Sequence, residues 1–176
     1  MVRDDRPRRR DVSAARRRVY KDHWNAAKQN GSTVLARGLL DKAIGAYLKG
    51  FEADWRDAYP GVNAVTLMEV KEPPDPRREQ LVPVVAYAVQ RRIERGDPDY
   101  WDYATRLELA VLGRDEQAAA DSLAAALAAV REVWEPETTA NNLRLIREAR
   151  ADRGERVEWA DEAEQLLLQR AQKSSS

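Results

Sequence analysis

Gly96 to Val130 reads GDPDYWDYATRLELAVLGRDEQAAADSLAAALAAV, and this stretch decides the fold class. Gly96 ends one helix because glycine takes a positive φ that other residues resist. Asp97 then offers an acceptor to the first free N–H groups, and Pro98 suits a first helical turn, where its missing N–H is harmless. These residues predict a fifth helix running to Leu112-Gly113. Asp115 predicts the next cap, and eight of the fifteen residues from Glu116 to Val130 are Ala. That composition favours helix and lets neighbouring backbones approach closely.

The same punctuation recurs on both sides. A first helix is expected from Val12 to Gln29, with Val19, Tyr20, Trp24 and Ala27 at helical spacings and Asn30-Gly31 as its stop. Ser32 or Thr33 caps a second, carrying Leu39, Leu40, Ile44, Tyr47, Leu48 and Phe51. A third starts at Tyr59-Pro60 and continues to about Val70, and Glu72-Pro73-Pro74-Asp75-Pro76 is the one evident linker. The fourth reaches Arg95 and either begins near Gln80 or is kinked at Pro83. Pro136 opens the seventh, Gly154 closes it, and the eighth spans Arg156 to Ala171. One helical domain is thus expected over residues 12–172, after a basic flexible leader (1–11) and before a disordered tail (173–176).

Short connections joining long helices prompt a search for repeats. The first helix of each pair begins near Asp11, Tyr59, Pro98 and Pro136, at offsets of 48, 39 and 38 residues. Ala43 and Gly50, seven apart on helix two, reappear as Ala118 and Ala125 on helix six. Small residues at such spacings are what a tetratricopeptide (TPR) unit places where its two helices touch. The expected fold is all-α, a TPR-like right-handed solenoid of about four antiparallel helix pairs, with an ordinary helical bundle as the alternative.

Composition narrows the chemistry. The 176 residues include 43% hydrophobic and 34% charged side chains, enough for one real core. Thirty basic and thirty acidic residues cancel, removing the bulk electrostatic pull toward nucleic acid or an anionic membrane. Nine of the first 21 residues are nonetheless Lys or Arg, though no aromatic accompanies Arg3 to Arg10 to stack on bases. No Cys and a single His, His23, exclude thiol catalysis, Cys-based metal sites, histidine triads and multi-His centres. Gly-rich phosphate loops, paired carboxylates at a catalytic spacing and HExxH motifs are absent. No run nears the roughly 20 apolar residues of a spanning helix, and the start lacks a secretory apolar segment. A cytoplasmic protein without enzymatic activity, metal or cofactor is expected.

In a stack of helix pairs the first helix of each pair faces the concave side, so helices one, three, five and seven can pool side chains from distant sequence. Arg17, Lys21 and Trp24 lie on one side of helix one, either as a ligand face or as a solvated basic face with Trp24 packed on helix two. Trp101, Thr105 and Glu108 share a face of helix five. A buried Glu108 needs a partner, and an Arg from helix one or seven would be a purely structural solution. Thr105 could equally bond back to its own helix. Asn63, Thr138, Thr139, Asn141 and Asn142 crowd helix starts, where they could hold an anionic or heterocyclic ligand or simply cap and crosslink helices. The five Trp fall mostly at core-like positions.

Several of these segments, in order, resemble a known family. They are Arg18-Val19-Tyr20-Lys21, Ala43-Ile44-Gly45-Ala46-Tyr47-Leu48-Lys49-Gly50-Phe51, Tyr59-Pro60-Gly61-Val62-Asn63, Tyr100-Trp101-Asp102-Tyr103-Ala104-Thr105 with Glu108, and Thr138-Thr139-Ala140-Asn141-Asn142-Leu143. From Arg16 to Leu167 the chain resembles the TRAFs-binding domain, the TPR-like central regulatory region of the apoptosis signal-regulating kinases, and its bacterial sensor-type relatives. The resemblance implies a non-catalytic domain that holds regulatory partners. For the bacterial relatives it implies a sensor joined to signalling or defence effectors, with a nucleotide-derived ligand. It carries over Arg18, Lys21, Asn63, Trp101, Thr105, Glu108, Thr139 and Asn142 as ligand-binding positions. Arg17 departs from the Gly that relatives commonly place there, and the 176 residues include no kinase or other effector segment.

The expected function is a TPR-like regulatory module whose concave face takes a small anionic ligand or a partner peptide and controls an effector or signalling protein. Its rivals are a pure protein-interaction scaffold, a carboxylate- or Lys-based enzyme, and an RNA-binding helical repeat.

Overall fold

The computed structural model describes residues 9–173, with side chains from residue 18 onward. Residues 1–8 of the expected leader and 174–176 of the expected tail lie outside the described residues. Eight helices and no strand occur within them: α1 (Arg9–Gln29), α2 (Thr33–Ala53), α3 (Ala58–Val70), α4 (Arg78–Glu94), α5 (Tyr100–Gly113), α6 (Glu116–Ala129), α7 (Trp134–Asp152) and α8 (Glu158–Lys173). The all-helical expectation holds.

Neighbours in sequence pack as pairs, α1 on α2, α3 on α4, α5 on α6 and α7 on α8, and the pairs stack. The stack curls tightly, because α3 touches not only α2, α4 and α5 but also α7, two pairs along. Its sequence, AYPGVNAVTLMEV, explains that position: a helix apolar on nearly every side, with Glu69 its one charge, has no broad face to give to water. Every residue from Pro60 to Glu69 is buried.

Two apolar clusters flank it. Trp24 of α1 joins Leu40, Ile44 and Tyr47 of α2 against Leu67 and Met68, while Phe51, Val62 and Val65 meet Val85 and Val89 of α4. A third, around Leu107, Leu143, Ile146 and Leu167, binds α5 to α8 together.

Gly61 sits where α3 packs against Phe51 of α2 and Val85 of α4. A Cβ there would lie 2.7 Å from Val85 Cγ2 and 2.9 Å from Phe51 Cδ2, both core atoms. Gly61→Ala is therefore expected to destabilise the fold by about 1–3 kcal/mol through overpacking, despite alanine's better helix propensity. A urea titration checks this, and a neutral or stabilising effect would show that α2 and α4 can move apart.

Helix boundaries differ from the sequence reading at three informative places. The N-cap of α5 is Asp99, not Asp97: its carboxylate accepts from the N–H groups of Trp101 and Asp102, and Asp102 accepts in return from the Asp99 N–H. This arrangement satisfies three N–H donors at once, which Asp97 placed before Pro98 could not match. α7 begins at Trp134, two residues ahead of Pro136, which still lies in the first turn. α4 begins at Arg78 and keeps Pro83 inside it on an exposed side, where the carbonyl deprived of its N–H partner is open to water.

The expected linker is a fastened loop. Asp75 is buried, its N–H donates to Met68 O, and its carboxylate accepts from the Arg77 N–H and guanidinium. That arrangement holds the Asp75 carboxyl below its ordinary range.

One cluster had no counterpart in the sequence reading. Glu69 of α3 accepts from Arg150 Nε at 3.0 Å, Arg78 Nε at 2.7 Å and the Arg153 guanidinium. Arg150 also donates to the carbonyls of Val111 and Leu112 at the end of α5, so one guanidinium fastens three helices. Burial alone pushes the Glu69 carboxyl up, but hydrogen bonds and charge from Arg150 and Arg78 outweigh it and leave it below its usual value.

Candidate functional site

Packing of Trp24 and Ala27 into the α2–α3 core fixes the roll of α1. Lys21, three residues earlier, is thereby aimed between α3 and α7. Its Nζ donates to Asn63 Oδ1 and to Asn142 Oδ1, each at 3.0 Å. The amide of Asn142 passes the chain on, donating from Nδ2 to Glu108 Oε1 of α5 at 2.9 Å. Thr66 Oγ1 donates to the other Glu108 oxygen at 3.3 Å, and Asn63 Nδ2 donates to Tyr59 O at 3.0 Å. Four first-of-pair helices meet in this hub.

Neither Asn caps a helix, so crosslinking is what these amides do. Nor does Glu108 take an Arg partner among the described residues: the buried Arg150 of α7 is committed to Glu69. Glu108 is 5% exposed. Burial pushes its carboxyl above the ordinary carboxylate range, against weaker opposing pulls from Asn142, Lys21 and Thr66. Burial likewise pushes the Lys21 ammonium down, with Glu108 opposing. No carboxylate lies within ion-pair distance of Lys21 among the described residues. A cation held by neutral amides is what remains.

A measurable consequence follows for Glu108. Because the folded protein binds this proton more tightly than the unfolded chain does, the stability it contributes is full below the ordinary carboxylate pKa of about 4.3 and is lost as pH rises through the raised value. Glu108→Gln, neutral at every pH, is expected to equal or exceed the native chain near pH 7 and to lose that advantage toward pH 4. Urea titrations across this range check it; a native chain gaining on the variant as pH rises contradicts it.

Above the hub opens a cavity of about 850 Å³. This is within the roughly 300–1,000 Å³ of small-molecule sites. Seven of the eight positions singled out from sequence line it: Arg18, Lys21, Asn63, Trp101, Thr105, Glu108 and Asn142. Thr139 does not. Fully buried, it accepts from the Tyr100 hydroxyl at 2.8 Å and so ties α5 to α7 behind the cavity wall. The Thr105 hydroxyl has no hydrogen bond among the described residues and faces the cavity instead of its own helix. Arg18 is exposed, beside Tyr59, whose hydrogen bond raises the guanidinium's pKa.

Trp101 stands at 5.5 Å, centroid to centroid, from Trp134, with their planes tilted by 33°. Sequence reasoning missed Trp134, since helix seven was expected to start two residues after it. Trp134 and Trp55 are 55% and 52% exposed, unlike the core positions expected for most Trp. Several other charges around the cavity have partners within the fold: Arg92 pairs with Asp102 at 2.8 Å, Asp57 caps α3 and Asp99 caps α5.

A family model described as the MAP3K TRAFs-binding domain matches residues 1–167. The chain belongs to this family. No curated protein and no solved structure matches it. As a TRAFs-binding domain it is a regulatory module working through protein–protein contact, in a family that is non-catalytic in general. Among the described residues no cluster of three potential metal ligands occurs, and no helix is long and apolar enough to cross a membrane.

Proposed function

We propose that this TRAFs-binding domain is a cytoplasmic sensor module whose central cavity binds a small anionic, nucleotide-derived ligand and thereby controls a signalling or defence effector. The observation carrying this reading is Lys21, an ammonium bound to neutral amides beneath a cavity of ligand size. Lys21 and Arg18 would neutralise phosphate charge, and the Trp101–Trp134 pair would stack on a heterocycle. Thr105, Asn63, Asn142 and Glu108 would orient polar groups, with Thr139 supporting the wall through Tyr100.

Thermal unfolding in the presence of NAD, ADP-ribose and other nucleotides tests the proposal. A ligand at a hundred times its Kd adds about 2.7 kcal/mol by mass action. For a chain of this length that corresponds to roughly 5–10 °C in Tm. The second reading, a scaffold whose cavity takes a partner peptide, is favoured by the family's protein-binding character. A flat response across the nucleotide panel selects it.

A further inference from the structure

A second concavity, of about 310 Å³, lies between the α2–α3 connection and the C-terminal half of α4. Trp55 and Tyr87 stand on it 52% and 58% exposed. Arg56, Arg91, Arg92 and Arg95 surround them, with Asp97 on the lining and Asp54, Glu94 and Asp102 paired to three of the four. The aromatics contribute to no apolar cluster of the fold, so packing does not account for them. Trp, Tyr and Arg are also the residue types that dominate binding energy at protein interfaces.

The guanidiniums remain available. Arg95 has no ion pair among the described residues. Arg56, Arg91 and Arg92 hold Asp54, Glu94 and Asp102, yet their side chains stay 64%, 51% and 53% exposed. Each of these forks has five N–H donors and serves one intramolecular carboxylate, leaving donors for another. The Arg91–Glu94 pair is exposed on both sides, and pairs of that kind contribute little.

We propose that this groove docks an acidic peptide segment of a partner protein, its carboxylates on the four guanidiniums and an apolar or aromatic side chain against Trp55 and Tyr87. Arg95, unpaired among the described residues, and the spare N–H donors of the other three guanidiniums select an anion, and the exposed aromatics select one that also carries apolar side chains. A nucleic acid fits less well, since the basic patch is one short groove on a chain of zero net charge. Arg56 and Arg92 line both this groove and the central cavity, so the docked segment would reach the rim of the first site.

The test uses the whole chain and a fluorescein-labelled peptide, EDLEEFDE, read by fluorescence anisotropy, beside its neutral counterpart QNLQQFNQ. Binding of the acidic peptide alone is expected, weakened at least tenfold in Arg91→Gln/Arg95→Gln and in Trp55→Ala. Neither position of the double variant lines the central cavity, so nucleotide-induced thermal shifts should persist in it, and failure of one site is told apart from failure of the other. Circular dichroism melting verifies folding of each variant. Equal binding of the neutral peptide, indifference to both variants, or tighter binding of oligouridylate than of the acidic peptide would overturn the proposal.

Discussion

Glu69→Met is expected to lower the unfolding free energy by about 3–5 kcal/mol, the range for breaking a buried ion pair from one side. Arg150 is 4% exposed and would keep its two carbonyl partners while losing the carboxylate that neutralises it, and Arg78 and Arg153 would be left with the more exposed Glu79 and Glu155. The double variant Glu69→Met/Arg150→Met should recover part of the loss, because it removes the stranded buried charge along with its partner. Acid unfolding should report the same carboxylate. Its pKa is held below the ordinary value, so the stability it contributes is present above that value and lost as pH falls through the folded one. The Met variant should therefore show a flatter acid limb. A loss under about 1 kcal/mol in urea would mean that the three guanidiniums find water or other carboxylates once Glu69 is gone.

On the proposed sensor reading, and with ADP-ribose as the probe, Lys21→Met is expected to weaken binding by about 10–100-fold, the worth of roughly 1.5–3 kcal/mol for a hydrogen bond to a charged group. Titration calorimetry reads the change, and the variant's own melting curve separates it from unfolding. A pH signature should accompany it. Only the ammonium form attracts phosphate, and burial lowers the Lys21 pKa, so affinity should fall with rising pH below the range where an ordinary lysine titrates. Trp101→Ala should also weaken binding, by about 1–3 kcal/mol of lost stacking, without shifting that pH dependence. Unchanged affinity in Lys21→Met would remove the carrying observation from the sensor reading.

Much of the architecture was legible because its signals are local. Gly31, Gly96 and Gly154 all take positive φ just past helix ends, and Asp115 caps α6 as its position suggested. Helix starts were less legible where two candidates compete: Asp97 and Asp99 both precede the α5 run, and only the reciprocal bonds to Asp102 choose between them.

The candidate site was half legible. Trp101, Thr105 and Glu108 share a face by helical period alone, whereas the partners of Glu108, Asn142 and Thr66, come from helices 34 and 42 residues away. Glu69 carried a signal that went unused, the one charged residue in the helix AYPGVNAVTLMEV. Its answering cation, 81 residues on, gave none. Trp55 and Trp134 were read with the core Trp, for which sequence offers no exposure to inspect.

Period, caps and composition by themselves determined eight helices in pairs and the absence of thiol or histidine chemistry, because those features depend on residues within a few positions of one another. Tertiary structure alone decided that α3 lies against α7, that Lys21 is held by amides instead of carboxylates, and that Thr139 faces away from the hollow its neighbours share. Those outcomes depend on how tightly the pairs curl, which is set by close approaches such as Gly61 to Val85 and by the Glu69–Arg150 bond. Each is a contact between segments far apart in the chain.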